Sequence, residues 1–297
     1  MKNIIKLTCC LLVIVSCKSV EPSNNNNPDF SYPETILPED DTKLWLADGD
    51  ESNQIVTIFL QGGPSDELNF EKRKKTVWRY LPDYNNYYRI HLHQANTVNT
   101  TMFTYDCNFS MKMARREVEN TSEILYRAIK YFKDKGKTVW VIGHSYGAYI
   151  IPNYLATRPS LADKYYIVSG RLNDPRETKS AHKNGYNGTY KNGITFISDQ
   201  KTMDFSEDTI WGLKYYIAKQ KLKAAIGEIS YTKALKNVDL SNVTYIYAPK
   251  DERVGGLTKK EIDFLRSKNV KVFESEREHG HTWKDLIDLV KEGKIKL

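Results

Sequence analysis

The chain has 297 residues, 40% hydrophobic and 12% aromatic, with 44 Lys and Arg against 37 Asp and Glu for a formal charge of +7. That balance excludes a disordered chain, and a modest positive charge spread among many acidic residues gives no basis for a nucleic-acid partner. There is no internal repeat.

The leading segment, residues 1–16, carries Lys2 and Lys6 ahead of the apolar stretch Leu7 to Val15. A charged start followed by a short apolar run has the form of an export signal and is too short for an ordinary membrane span. Ile14-Val15-Ser16-Cys17 resembles the lipobox of bacterial lipoprotein precursors, which implies cleavage before Cys17, lipidation of that cysteine and a lipid-anchored location in the cell envelope. A plain secretory signal is the alternative. Residues 17–41, rich in Asn, Pro, Ser and acidic side chains, read as a flexible tether. Cys9 and Cys10 fall in the leading segment and Cys17 at the anchor, so Cys107 alone remains for the globular part and no internal disulfide framework is expected. Residues 42–297 are then enough for one large domain with its own core. The Lys72-Arg73-Lys74-Lys75 run reads as a solvated face.

From Lys43 onward, short β-rich runs alternate with helical segments, the pattern of an α/β fold on a mainly parallel sheet. Strands are predicted at Lys43–Ala47, Gln54–Leu60, Tyr87–His93, Thr138–Ile142, Lys164–Ser169, Val243–Ala248 and Val270–Phe273. Met113–Lys133 places Val118, Leu125, Ile129 and Phe132 at helical spacing, with Gly136 as a stop. Thr258-Lys259-Lys260-Glu261 has the form of a capping box, and Thr282–Val290 would bury Trp283, Leu286, Ile287 and Val290 as a helix. Between about 171 and 241 the rhythm breaks, and this segment reads as an inserted cap. Within it, residues 185–198 suggest a hairpin turning at Asn192-Gly193, and 209–225 suggest amphipathic helix. Trp211, Tyr215 and Tyr216 are candidates either for a pocket lining or for ordinary core packing.

The most informative run is Val139-Trp-Val-Ile-Gly143-His144-Ser145-Tyr146-Gly147, a strand feeding G-x-S-x-G and then an apolar, helix-compatible stretch. A serine hydroxyl is a weak nucleophile, and a sharp strand-to-helix turn presents it to a base; the small residues Gly143 and Gly147 let strand and helix approach. With this elbow in its context, the chain from Lys43 resembles the α/β-hydrolase superfamily. Gln61-Gly62-Gly63-Pro64 is similar to the family's His-Gly-Gly-Pro, with Gln61 in place of the usual His. The resemblance implies an oxyanion hole from the backbone N–H groups of Gly63 and Tyr146.

Residues 249–254, Pro-Lys-Asp-Glu-Arg-Val, follow the next-to-last strand and resemble the family's acid loop. Asp251 is the implied acid, with Glu252 as a solvated neighbour. Glu278-His279-Gly280-His281-Thr282-Trp283 supplies two histidines before the last helix. The family's Gly-His followed by a small polar residue and an aromatic one favours His281 as base, with His279 as the alternative. The order Ser145, Asp251, histidine is the one these enzymes use. His144, inside the elbow, is implied to be structural.

The resemblance therefore implies a serine hydrolase that cleaves a small acyl or short peptide substrate without a cofactor. The Gly-Gly-Pro turn is also similar to that of proline iminopeptidases, so an aminopeptidase is an alternative. Two further readings remain open. His91-x-His93 and His279-x-His281 are H-x-H pairs of a kind that can hold zinc, although no acidic residue follows the first pair closely. A non-catalytic binding protein on the same fold is the other.

Overall fold

The computed structural model describes residues 35–76, 78–103, 109–199 and 210–296. The leading segment, Cys17 and Cys107 lie outside the described residues, as do the side chains of Trp211 and Tyr215. Seven strands form one sheet: β1 (Trp45–Asp48), β2 (Ile55–Leu60), β3 (Tyr87–Leu92), β4 (Thr138–His144), β5 (Lys164–Val168), β8 (Val243–Tyr247) and β9 (Lys271–Glu274), in the order β1-β3-β2-β4-β5-β8-β9. β1 pairs antiparallel with β3, and every other pairing in this sheet is parallel. Each predicted strand is present, with ends shifted by up to two residues; the first begins later because residues 41–44 form a single 3₁₀ turn capped by Asp40.

The central strands are buried on both faces, so they read as apolar runs whose alternate residues serve two different cores. Val56, Ile58, Leu60, Val139, Val141, Tyr165, Ile167 and Tyr245 join one core with α3 (Met111–Asp134), α4 (Tyr146–Thr157) and α6 (Ile210–Gly227). Phe59, Trp140, Ile142, Tyr166, Val168 and Ile246 join the other, which is closed by Trp78, Leu81 and the apolar side of α9 (Trp283–Lys291). α3 begins at Ser110, whose hydroxyl caps Met113 N–H. α8 (Lys259–Ser267) begins at Thr258 in the expected capping box with Glu261. Short helices α1 (Phe70–Thr76) and α2 (Ala95–Val98) follow β2 and β3. Residues 35–41, assigned to the tether by composition, instead lie against α3: Arg127 donates to the Pro38 and Glu39 carbonyls and to Asp41.

Between β5 and β8 the chain leaves the sheet through α5 (Arg176–Lys183), the antiparallel pair β6 (Gly188–Lys191) and β7 (Thr195–Ser198), α6 and α7 (Tyr231–Ala234). The β6–β7 turn uses Asn192 at φ 55° and Gly193 at φ 71°, the left-handed pair that a two-strand turn of this twist requires. Glu261 fastens the beginning of this excursion: its carboxylate accepts the N–H groups of Leu172 and Asn173 as well as Thr258. The hairpin is fastened to the loop after β8, where Tyr190 N–H donates to Glu252 O at 2.8 Å and Gly256 N–H to Gly193 O at 2.8 Å. Among the described residues, no helix is long and apolar enough to cross a membrane.

Where β4 turns into α4, the helix comes hard against the sheet. A methyl group on Gly147 would overlap the Leu60 carbonyl, and one on Gly143 would overlap the Gly147 carbonyl. Gly147→Ala is expected to cost about 3 kcal/mol or more of folding stability, since backbone on both sides must move. Chemical denaturation would measure it; a cost under ~0.5 kcal/mol would mean that the contact relaxes freely.

Candidate active site

The close approach of α4 leaves Ser145 as the single residue between strand and helix. It takes φ 56° and ψ −118°, a conformation that ordinarily costs a non-glycine residue ~1–3 kcal/mol. Its N–H donates to Val168 O of β5 at 3.0 Å, so the corner is pinned to the neighbouring strand. Its side chain is only partly buried and lines a cavity of about 240 Å³.

His279 Nε2 lies 2.8 Å from Ser145 Oγ, and His279 Nδ1 lies 2.7 Å from Asp251 Oδ2. Asp251 is 1% exposed, and its other oxygen accepts the N–H groups of Arg253 at 2.8 Å and Val254 at 3.0 Å. A carboxylate held in this way fixes the ring's orientation and keeps a proton on Nδ1, which leaves the lone pair of Nε2 facing the hydroxyl. Glu252, the neighbouring acid, stays in solvent beside Arg253.

The histidine in contact with Ser145 is thus His279 and not His281, the residue favoured by motif order. Residues 279–281 form one 3₁₀ turn. Residues two apart on such a turn point about 120° away from each other, so one faces the serine and the other cannot. His281 is exposed and lines a second, basic cavity of about 770 Å³ with Arg73, Arg79, Lys284 and Lys291.

The turn that carries His279 is held by its own carbonyls. The His279 carbonyl accepts from His144 Nε2 at 3.1 Å and from Thr282 Oγ1 at 3.0 Å, and Trp283 Nε1 donates to Gly280 O at 3.0 Å. Thr282 also bonds the Ser169 hydroxyl. Burial pushes the His144 ring down to about 3, so it stays neutral and serves as a donor to that backbone. Thr282 and Trp283 went unrecognised as supports in the sequence, where they read only as the family's polar-aromatic pair.

Gly63 and Tyr146 both line the 240 Å³ cavity. Tyr146 is the first residue of α4, so its N–H has no partner within the helix and is free to point outward. Gly62 packs against Ser145, and a Cβ there would come 3.0 Å from the serine Cβ. Gln61, which replaces the family's histidine, is fully enclosed: its amide donates to Glu67 O at 2.6 Å and accepts from Asn69 N–H at 3.0 Å, while Gln94 donates to its carbonyl at 2.8 Å. Asn96 holds the same loop at Ser65 O. Gln61, Gln94 and Asn96 thus fix the Gly62-Gly63 turn by side-chain amides.

The two H-x-H pairs do not converge. Both nitrogens of His279 are engaged by Ser145 and Asp251, and the His91 ring is packed among Phe59, Phe70 and Trp78. Among the described residues, no group of three or more His, Cys, Asp or Glu side chains has the arrangement to hold a metal ion.

The fold has counterparts among solved structures. MGS-M2, an alpha/beta hydrolase enzyme from a Medee basin deep-sea metagenome library, matches with a TM-score of 0.54 over 85% of this chain and 94% of its own, at 15% identity. A lipase-esterase related protein from Clostridium acetobutylicum ATCC 824 matches with a TM-score of 0.50 over 84% and 99%, at 12% identity. The fold is the α/β-hydrolase fold. No protein-family model matches the chain, and no curated protein matches it in sequence.

In hydrolase-fold terms, the cap supplies the far wall of the cavity: Thr178 and His182 from α5, Tyr190 from β6, and Lys223 and Ile226 from α6. Asp174 also lines it and accepts from Tyr149 Oη at 3.0 Å. Burial pushes the Asp174 carboxyl up to about 6, with Arg171 pulling the other way. The folded protein therefore holds this proton more tightly than the unfolded chain, and stability falls as pH rises from about 4 through about 6. Asp174→Asn, which keeps an acceptor for Tyr149, is expected to raise stability at pH 7.5 by ~1–3 kcal/mol and to lose that advantage near pH 4. Urea unfolding at the two pH values checks it; no gain at pH 7.5 would show that the carboxylate is not penalised.

Proposed function

We propose that the protein is a serine hydrolase that cleaves an acyl bond through Ser145, His279 and Asp251. Ser145 Oγ attacks the carbonyl carbon as His279 Nε2 takes its proton, and the bond to the leaving group breaks as His279 returns that proton to it. Water, deprotonated by the same ring, then attacks the acyl-enzyme, releasing the acid and restoring the hydroxyl. Asp251 keeps the ring in the right tautomer and stabilises it while charged, and the N–H groups of Gly63 and Tyr146 bind the oxyanion. The observation that carries this reading is the unbroken chain of contacts from Asp251 through His279 to Ser145 on a strained elbow.

Ser145→Ala is expected to abolish turnover of p-nitrophenyl esters and labelling by a fluorophosphonate probe. His279→Ala is expected to lower kcat by at least ~10³-fold, while His281→Ala stays within about threefold of wild type. Comparable losses in the two histidine variants would reject His279 as the base.

We further propose that residues 1–16 are removed and that Cys17 carries a lipid holding the enzyme at the cell envelope. The charged start, the short apolar run and the Ser16-Cys17 junction support this. Full-length protein expressed in a bacterial host should fractionate with membranes and show a lipid-sized mass increment on Cys17, and Cys17→Ser should release it. An unmodified Cys17 in the mature protein would refute the anchor.

A further inference from the structure

The cap wall of the 240 Å³ cavity carries a positive charge, that of Lys223, with no carboxylate in direct contact among the described residues. Lys223 projects from α6 into the space that Ser145 and His279 also line. Its ammonium has three donors, and the protein uses one of them, to Asn187 Oδ1 at 3.2 Å. Among the described residues no carboxylate stands within ion-pair distance of it. The acid that shares the cavity, Asp174, is turned to Tyr149 and packs against Gly227, so it acts on Lys223 only at longer range.

The groups around Lys223 suit an anion as well. Burial pulls Lys223 down to about 8, with Lys219 and Arg253 adding to the effect and Asp199 and Asp174 opposing it, so it remains mostly charged at neutral pH. His182 is buried beside Phe196, and its Nδ1 lines up with no protein partner. Burial lowers its pKa to about 3, so its ring is neutral and free to donate or accept. Arg253 stands at the rim. Removing a lysine from water without a partner is unfavourable, and an anionic ligand that brings its own oxygens recovers that cost. The cavity is small beside the ~300–1,000 Å³ that encloses a drug-sized ligand, which limits the acyl portion to a few carbons.

We propose that the acyl portion of the substrate is short and ends in a carboxylate that pairs with Lys223, as in a half-ester of a small dicarboxylic acid. This deepens the serine-hydrolase reading and rests on Ser145 as nucleophile. Lys223 acts as a specificity residue: it holds the far end of the acyl chain while Ser145 meets the carbonyl. An ammonium-bearing acyl group, as in an aminopeptidase substrate, would be repelled by the same charge.

The test compares p-nitrophenyl hemi-succinate and hemi-glutarate with p-nitrophenyl butyrate and valerate, alongside alanine p-nitroanilide. Wild type should favour the better hemi-ester over its neutral counterpart by at least tenfold in kcat/KM, and Lys223→Met should reduce that ratio at least tenfold, mainly through KM. Lys223→Arg should restore part of it. Exchanging an isolated buried charge for an apolar side chain of similar length is tolerated by folds, and the rate of fluorophosphonate labelling reports the integrity of Ser145 in each variant. A wild-type preference for the neutral ester or the anilide, or an unchanged ratio in Lys223→Met, would overturn the proposal. Lack of labelling in wild type would overturn the nucleophile instead. The Lys223 assignment would then be decided by calorimetric binding of glutarate, supported by at least tenfold weakening in Lys223→Met and overturned by none.

Discussion

The contact on which the site depends is the near-touch of α4 and the sheet at Leu60, Gly143 and Gly147. With side chains on those glycines the helix would stand off from β2 and β4, and a longer connection would be needed. Without them, one residue must turn the chain from strand to helix, and Ser145 takes the left-handed conformation that results. Packing of α4 within the larger core holds that strain in place, as Tyr146, Ala148, Tyr149 and Ile150 are all buried there. A hydroxyl on such a corner cannot retreat into the helix, and it stays at the carboxyl edge of the sheet. β8 and β9 run parallel to β4 and end at the same edge, which is why the loops behind them can deliver Asp251 and His279.

Delivery is not orientation, and the orientation is bought with backbone groups. Asp251 is aimed by two N–H groups of its own loop, and the His279 turn is aimed through two carbonyls that accept hydrogen bonds from His144, Thr282 and Trp283. None of those three supports touches Ser145 Oγ. Neutral His144 is suited to the task because it sits immediately before Ser145, so its hydrogen bond ties the elbow to the turn that carries His279. On the other side of the serine, Gln61 and Gln94 do the same for the glycine turn without introducing a charge. In the proposed mechanism, a formal charge at either place would compete with the proton passed between Ser145 and His279.

The sheet was legible because burial on both faces writes long β-branched and aromatic runs, helix α8 because of its capping box, and helices α3 and α9 because their apolar stripes are regular. Motif order picked out Ser145 and Asp251, the two residues that the structure places against His279. Choosing between His279 and His281 needed something that order does not encode: a 3₁₀ turn, in which a two-residue step swings a side chain about 120° away. The amide clamp of Gln61, Gln94 and Asn96 was hidden for a different reason, since Gln61 is 33 residues from Gln94 and meets it only through the pairing of β2 with β3. Composition misread residues 35–41 as tether because polar segments look alike whether solvated or docked, and Arg127 on α3 decides which. In the cap, the Asn192-Gly193 turn had a local signature, whereas α5 drew its place from contacts.

Groups whose burial is unfavourable are concentrated where the cap meets the elbow: Asp174, His182 and Lys223 all line one small cavity. Elsewhere the sheet is flanked by apolar cores, and those cores supply the stability that lets such groups persist. Fastening matters as much as composition. Glu261 ties the start of the cap to α8, and the β6–β7 hairpin bonds directly to the loop that holds Asp251. A cap anchored at both points keeps its polar wall at a set distance from the nucleophile, so discrimination between acyl groups would reside in fixed charge placement and not in the closing of a lid. Rigid placement would allow a single ammonium to read the end of a short chain, as proposed for Lys223, because a wall free to drift would meet charged and neutral chains alike.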